Sequence, residues 1–350
     1  MTKENEKKLS AFGEQETQYF YSLTPDKILD AVEAFGFTCT GRCMALNSME
    51  NRVYDVEIEI EEKRPRCPSD RFRIVKFYRP GRWSKEQILE EHQFLLDLVE
   101  YEIPAVAPIV FANGETLLDV PGAGIWCAVF PKVGGRSPDE LSPEQIPQVG
   151  RLLARMHGVG ATRQAPTRLE ISPQTFLLDN LDYLQREKVL PPAIENRYEF
   201  VVRSAAEITA PWFTQAQSQR IHGDCHLGNL LFGTDGFFWV DFDDMLRGPC
   251  VQDMWLLVGG RDAAATEKLD LLVEAYEQMR DFDRSTLRLI EPLRTMRVVH
   301  FNTWIAKRWS DPAFPRAFVE YGTERYWQEQ LQFLEEQLEL IKSPNYPVQT

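Results

Sequence analysis

The sequence lacks the features of a secreted or membrane protein. No apolar run approaches the length needed to span a bilayer, and the N-terminal stretch MTKENEKKLSAFGEQETQ is polar and charged. The six cysteines are scattered without a paired C-x-x-C framework, which favours free thiols in a reducing compartment over disulfides. We therefore expect a cytoplasmic protein in which residues 1–20 form a polar leader.

Positive charge is also scarce. The 350 residues include 39 lysines and arginines against 53 aspartates and glutamates, which gives a net charge of −14. Proteins that hold nucleic acid usually present a basic face, so we expect no nucleic-acid partner, although a local basic pocket for phosphate is compatible with this charge. A hydrophobic content of 43% and a charged content of 26% are typical of a folded globular chain.

The front of the chain has the patterns of strands with one main helix. Residues 52–60 and 71–78 alternate apolar and polar side chains on either side of a polar turn, which predicts an antiparallel hairpin. Helices are predicted over 24–37 and 84–100, and further strands over 116–120 and 125–130. The second helix opens with a capping box between Ser84 and Gln87.

A glycine- and proline-rich break, PKVGGRSP, separates this front from a helical back. The apolar spacing predicts helices over 142–159 and through most of 175–215 and 263–343, with one short buried strand over 236–242. The predicted fold is therefore α+β with two lobes. We expect a small antiparallel-sheet N-lobe over residues 21–131 and a larger helical C-lobe over residues 132–350.

Two charged residues of the front lobe fall among apolar neighbours. Lys76 has the same strand parity as Phe72 and Ile74, and Glu91 lies within the apolar stripe of the helix over 84–100. Either residue alone is explained by a long side chain that reaches back to solvent. Burial of either alone would be costly, whereas a pair would be tolerated. Together they predict a strand lysine held by a helix glutamate, the arrangement that nucleotide kinases use to position a lysine on phosphates.

The stretch HGDCHLGN at residues 222–229 allows three interpretations. A zinc site would use His222, Cys225 and His226, but a structural site needs four ligands and no second Cys/His pair lies nearby. A thiol nucleophile would use Cys225, but no oxyanion-hole motif accompanies it and the adjacent carboxylates would raise its pKa. Both of these interpretations are disfavoured.

The third interpretation is phosphate chemistry. Asp224 and Asn229 have the D-x-x-x-x-N spacing of a kinase catalytic loop, and Asp241 follows the short predicted strand. An aspartate can orient an attacking hydroxyl, while amide and carboxylate oxygens are ligands for Mg²⁺. If these residues had no catalytic role, the HGD and DFDD segments would simply be polar turns on either side of a short strand. Coupled to Lys76 and Glu91, they favour a phosphotransferase.

These residues resemble the aminoglycoside phosphotransferase-like branch of the protein-kinase fold. His222, Gly223, Asp224 and Asn229 are similar to that branch's HGDxxxxN, and Asp241 is similar to its counterpart of the DFG aspartate. The resemblance extends over nearly all of the chain after residue 20, and is more specific to bacterial stress-response protein kinases of that branch. It implies a cytoplasmic, ATP-dependent serine/threonine protein kinase that acts in stress response and survival. Such a kinase would phosphorylate protein substrates and itself, and nothing in the sequence demands more than a monomer.

The resemblance also implies roles for individual residues. Asp224 would accept the hydroxyl proton, and Asn229 and Asp241 would bind Mg²⁺. Lys76 would hold the α- and β-phosphates of ATP, with Glu91 as its ion-pair partner. Two further residues would contact the nucleotide: Ser48 lies in the expected covering loop, and Phe130 lies at the expected adenine hinge, where its backbone would do the recognising.

The sequence departs from typical protein kinases at several points. It has no G-x-G-x-x-G loop, no arginine in its HGD motif and no A-P-E segment, and DFD replaces DFG. Asp243 of that DFD would cap a turn or reach a second metal, and His226 stands where protein kinases have a lysine. Two alternatives follow: a phosphotransferase of the same fold that acts on a small molecule such as an amino alcohol, a sugar or an antibiotic, and a non-catalytic pseudokinase that binds partners.

Overall fold

The structure is a computed structural model that describes residues 20–60 and 67–343. Nearly all of the predicted leader therefore lies outside the described residues. The described residues form two compact units, of which the first comprises residues 20–60, 67–99, 105–135 and 311–313, and the second comprises residues 100–104, 136–310 and 314–343. One unit is built on an antiparallel sheet and the other on helices, so the predicted α+β class is confirmed.

The first unit contains a five-stranded antiparallel sheet in the order β1-β2-β3-β5-β4. Its helices and strands are α1 (Pro25–Glu33), α2 (Lys85–Glu100), β1 (Cys39–Leu46), β2 (Arg52–Ile58), β3 (Phe72–Phe77), β4 (Leu118–Val120) and β5 (Ile125–Pro131). The predicted hairpin is confirmed, because β2 pairs with β3 with Val53 opposite Lys76. The predicted capping box at α2 is confirmed as well, since the Ser84 and Gln87 side chains each accept a hydrogen bond from the other's backbone N–H, at 3.3 and 2.9 Å.

Strand β1 has no counterpart among the sequence predictions. It lies at the edge of the sheet, and its side chains are half-buried at Cys39 and Cys43 and exposed elsewhere. Such a strand shows no apolar alternation, so periodicity could not find it. Gly41 adopts φ +92° where the pairing of β1 with β2 is irregular, a backbone conformation that suits glycine.

The second unit is mostly helical, as predicted. Its helices and strands are α3 (Ile146–Gly160), α4 (Asp179–Arg186), α5 (Glu195–Gln215), α6 (Gln252–Val258), α7 (Ala263–Glu277), α8 (Ile290–Lys307), α9 (Ala313–Ala317), α10 (Glu324–Lys342), β6 (Gln219–Ile221), β7 (Leu230–Gly233), β8 (Gly236–Trp239) and β9 (Leu246–Gly248). Two small antiparallel sheets, β6-β9 and β7-β8, frame the HGDCHLGN and DFDD segments. Within the described residues, no helix is long and apolar enough to cross a membrane.

Asp311 comes from near the end of the chain but belongs to the first unit. Its carboxylate accepts a 2.8 Å hydrogen bond from the Arg79 guanidinium, and the two side chains are only 1% and 5% exposed. Arg79 also donates to the backbone oxygen of Glu50 at 3.0 Å, and its own backbone N–H donates to Asn51 Oδ1 at 3.1 Å. A contact 232 residues apart in sequence therefore supports the turn that precedes β2.

We expect Asp311→Ala to lower the free energy of unfolding by about 1–3 kcal/mol, because the buried Arg79 guanidinium loses the Asp311 carboxylate and keeps the Glu50 carboxylate at 3.2 Å. Urea unfolding followed by circular dichroism would measure this loss. Asp139→Ala provides the matched control, since Asp139 is exposed. Equal unfolding midpoints for the two variants would contradict a stabilising role for the Arg79–Asp311 pair.

Candidate active site

Lys76 and Glu91 meet in the first unit. Lys76 Nζ lies 3.3 Å from Glu91 Oε1, and the two side chains are 10% and 1% exposed. The lysine Nζ also lies 4.7 Å from the centre of the Tyr78 ring, a cation–π contact. The predicted contact is confirmed, whereas the phosphate-binding role of Lys76 stays a prediction.

The loop before β2 is ordered by side chains instead of glycines. Ser48 Oγ accepts a hydrogen bond from the Asn51 backbone N–H at 3.3 Å, and Arg79 holds the next residues of the loop. Phe130 lies near the end of β5, where it is 9% exposed and packs edge-on against His92 with ring centres 6.1 Å apart. The nucleotide contacts of Ser48 and Phe130 stay predictions.

Asp224 lies in the turn that follows β6. Gly223 makes this turn with φ +88°, and a Cβ there would approach the Asp244 carbonyl oxygen to 2.3 Å, so only glycine fits. Asn229 closes the turn, because its side-chain nitrogen donates to the Asp224 backbone oxygen at 3.1 Å. The D-x-x-x-x-N spacing therefore brings both functional side chains into one compact loop.

Both carboxylate oxygens of Asp224 accept hydrogen bonds from nitrogen donors. Arg297 Nη1 of α8 lies 2.8 Å from Oδ1, and His226 Nε2 lies 3.3 Å from Oδ2. The Gly228 backbone N–H donates to His226 Nδ1 at 3.0 Å, which leaves Nε2 as the protonated nitrogen that donates to Asp224. Partial burial raises the pKa of Asp224, but the His226 hydrogen bond and the Arg297 charge outweigh it and hold that pKa well below its usual range. Asp224 is therefore ionised at neutral pH.

Asn229 and Asp241 lie on adjacent chain segments. The Val240 backbone N–H donates to the Asn229 backbone oxygen at 3.0 Å, which sets the residue before Asp241 beside Asn229. Asp241 is exposed and left-handed, with φ +60°, a conformation that aspartate adopts more readily than most residues. Because the Asn229 side-chain nitrogen is held by Asp224, its oxygen is the atom left for a ligand. An amide oxygen and a carboxylate suit Mg²⁺, which usually takes one or two protein groups and completes its shell with phosphate and water oxygens.

Asp253 of α6 organises the turn around Asp224. Its two carboxylate oxygens accept the backbone N–H groups of His222 and Gly223, both at 2.8 Å, and its Oδ2 also lies 3.1 Å from His157 Nε2 of α3. Asp253 and His157 are both fully buried. Burial lowers the pKa of His157, but the neighbouring Cys250 and the hydrogen bond to Asp253 raise it to about 9. The result is a buried ion pair fixed to the backbone of the HGD motif.

Comparison with known proteins identifies the family. The phosphotransferase enzyme family matches residues 47–290, a span that includes the candidate site residues from Ser48 to Asp253 and ends before Arg297. The chain belongs to this family. This phosphotransferase is 40% identical over 326 residues to stress response kinase A of Escherichia coli strain K12, covering 93% of this chain and 95% of the relative. It is 39% identical, with the same coverage, to serine/threonine protein kinase RdoA of Salmonella typhimurium strain LT2.

Solved structures of small-molecule kinases share the fold. An amicoumacin kinase in complex with AMP-PNP and Ca²⁺ matches the phosphotransferase with a TM-score of 0.66 at 20% identity, over 92% of this chain and 95% of that one. A microcompartment-associated aminopropanol kinase matches with a TM-score of 0.64 at 18% identity, over 90% and 96%. At these identities the likeness establishes the fold and leaves the substrate open.

Two residues of HGDCHLGN, His222 and Cys225, have structural roles in the phosphotransferase. His222 is buried between Trp239 and Phe242, where its Nε2 donates to the Val240 oxygen at 3.0 Å. Cys225 is fully buried, and this burial, with the nearby Asp253 and Asp224, raises the pKa of its thiol well above the usual range. The predicted effect of the carboxylates on Cys225 is confirmed, and a reactive thiolate is disfavoured.

Sequence reasoning missed three residues of the site: Arg168, Asp253 and Arg297. Buried Arg168 donates to the backbone oxygen of Asp243 at 2.7 Å and so holds the DFDD turn. A signal for Asp253 was present, since it is a carboxylate within the apolar run CVQDMWLLV. No local signal marked Arg297, which is a surface arginine on a helix 73 residues beyond its partner.

Proposed function

We propose that this phosphotransferase is an ATP- and Mg²⁺-dependent protein kinase that phosphorylates serine and threonine hydroxyls, on other proteins and on itself. The observation that carries the proposal is the pairing of Asp224 with Arg297 and His226. These groups offset the negative charge where the acceptor would bind, which disfavours a cationic aminoglycoside or choline-like substrate. The names of the two relatives, a stress response kinase and a serine/threonine protein kinase, support the same proposal and a role in bacterial stress response.

In this proposal each residue of the site has one role. Lys76, held by Glu91, binds the α- and β-phosphates of ATP, while Asn229 and Asp241 hold Mg²⁺ through their side-chain oxygens. When bound, Mg²⁺ draws negative charge from the phosphates. Asp224 accepts a hydrogen bond from the acceptor hydroxyl and orients its oxygen for in-line attack. Because the pKa of Asp224 is held low, Asp224 acts mainly by orientation and charge, and only weakly as a base.

Two alternatives make different predictions. A small-molecule kinase of this fold would need a pocket at Asp224 that matches its substrate. For a cationic substrate, acidic side chains should line that pocket. A pseudokinase would have lost a core catalytic group, whereas Lys76, Asp224, Asn229 and Asp241 are all present. The two small-molecule kinases of known structure support the first alternative, because they share this fold.

Incubation of the purified chain with γ-labelled ATP and Mg²⁺ distinguishes these functions. We expect label on serine and threonine of the chain itself and of an added mixed protein substrate, and loss of that label with EDTA. Aminoglycosides, choline and amino alcohols, tested in parallel, should take up none. Label on one of those small molecules with none on protein would overturn the protein-kinase proposal, and no transfer to any acceptor would favour the pseudokinase.

A further inference from the structure

The outer face of α8 continues from the catalytic loop as an exposed surface. It begins at Arg297, whose side chain is 46% exposed while it contacts Asp224. Phe301 lies one helical turn further and is 44% exposed. Residues four apart on a helix share a face, so the arginine and the phenylalanine lie side by side on the same surface as the candidate catalytic aspartate.

Phe301 is part of a cluster of exposed and half-buried apolar side chains. Its ring stacks on Trp304 with centres 5.6 Å apart and an interplanar angle of 18°, and Phe318 packs edge-on against both rings. Val319 beside Phe318 is 75% exposed. We call these four residues (Phe301, Trp304, Phe318 and Val319) the aromatic shelf. Contiguous apolar side chains at a surface, beside a charged group, are typical of a site that binds a partner.

Arg297 has donors to offer a second anion. Its guanidinium carries five N–H groups, and in the described part of the chain its hydrogen-bond partner is Asp224, reached through Nη1. A planar guanidinium binds a carboxylate through two parallel hydrogen bonds more specifically than an ammonium does. An acidic side chain next to an acceptor hydroxyl on Asp224 would therefore lie within reach of Arg297.

We propose that Arg297 and the aromatic shelf select the protein substrate. Arg297 binds an aspartate or glutamate adjacent to the phosphoacceptor, and the shelf binds a large apolar residue further along the same extended segment. From Arg297 to Phe301 and Trp304 the helix rises about 6 to 10 Å, which an extended peptide covers in roughly two to three residues. The inference rests on the proposed protein-kinase function, and it specifies the sequence that such a kinase prefers.

Three serine peptides of equal length test this preference. The first carries glutamate beside the serine and leucine three positions from that glutamate; the second replaces the glutamate by lysine, and the third replaces the leucine by alanine, so that each peptide has one acceptor hydroxyl. We expect kcat/KM for the first peptide to exceed that for each of the others roughly tenfold or more, with KM carrying most of the difference.

Charge reversal provides the decisive readout. Arg297→Glu should lower kcat for every peptide, because it removes the cation 2.8 Å from Asp224, and should invert the order of KM for the glutamate and lysine peptides. Loss of structure alone cannot produce that inversion, and an unchanged order of KM would overturn the inference. Phe301→Asp should remove the advantage of the leucine peptide and leave the charge preference in place. Matched controls are Arg325→Glu, an 80% exposed arginine on α10, and Phe200→Asp, a 66% exposed phenylalanine on α5, both of which should keep the wild-type preferences.

Each outcome decides a separate question. Equal phosphorylation of all three peptides by the wild-type chain would overturn this inference and leave the protein-kinase proposal standing. No phosphorylation of any peptide or protein would overturn both. A dimer in sedimentation velocity that dissociates on Phe301→Asp but not on Phe200→Asp would show that a second copy covers the shelf, which would also overturn the inference.

Discussion

Replacing Asp224 with asparagine is expected to lower kcat by about 10²–10⁴-fold, the range found when a group that orients or accepts the transferred proton is removed. The amide is the same size as the carboxylate, but it loses the negative charge that Arg297 and His226 contact at 2.8 and 3.3 Å. The affinity for ATP should change little, because Asp224 is proposed to contact the acceptor hydroxyl and not the nucleotide. Steady-state kinetics and calorimetric titration with AMP-PNP and Mg²⁺ would measure the two effects separately.

The matched control for this change is Asp235→Asn, an identical substitution at an exposed turn between β7 and β8. It should leave kcat within a factor of two or so of the wild-type value, as is usual for surface substitutions away from structural features. Wild-type kcat in the Asp224→Asn variant would remove Asp224 from the mechanism. A loss of AMP-PNP binding equal to the loss of kcat would instead show a general collapse of the site.

The second large effect is expected for Asp253→Asn. The amide can accept only through its oxygen, so one of the two backbone N–H groups of His222 and Gly223 faces an NH₂ group in place of a carboxylate oxygen. Buried His157 loses its anionic partner as well. We expect the free energy of unfolding to fall by about 3–5 kcal/mol. We also expect kcat to fall about 10²-fold even where the variant is fully folded, because the Asp224 turn would be displaced.

The pH dependence of stability provides an independent readout for the same variant. The pKa of His157 is raised to about 9 in the folded chain, against about 6.5 for an unfolded histidine. The protonated form therefore stabilises the fold fully below pH 6.5 or so, and this contribution is lost as pH rises through the folded pKa. In Asp253→Asn the loss should begin at lower pH. Unfolding midpoints from pH 6 to 10, with exposed Asp281→Asn as control, would test this; superimposable profiles for Asp253→Asn and the wild-type chain would show that Asp253 does not raise the pKa of His157.

The parts of the site that could be predicted from sequence are those set by local geometry. Strand parity and helical periodicity placed Lys76 and Glu91 on buried faces, and their 3.3 Å contact follows once β3 and α2 pack together. The D-x-x-x-x-N spacing placed Asp224 and Asn229 in one loop, since the hydrogen bond between them spans only five residues. Periodicity likewise located β2, β3, β5 and most of the helices.

The parts that could not be predicted depend on contacts between distant segments. Arg297 and Asp311 are ordinary polar residues within their own segments, and only the tertiary fold brings them to Asp224 and Arg79. Strands β6, β7 and β9 have three or four residues each, too few for a periodic signal. The edge strand β1 buries too little apolar surface to show alternation. In each case the structure depends on contacts between distant segments, and a single sequence does not show which segments make contact.

The contact between Arg79 and Asp311 has a consequence for how the chain is made. A ribosome synthesises the chain from its N-terminus, so the strands of the first unit emerge and can pair before residue 311 has been synthesised. Until then Arg79 has no Asp311 to bind, although Glu50 is already within 3.2 Å of its guanidinium in the finished unit. The turn that leads into β2 therefore gains the support of Asp311 only after the 232 residues that follow Arg79 have been synthesised. A product that stops before residue 311 would lack this contact, so the loop before β2 would be less firmly held.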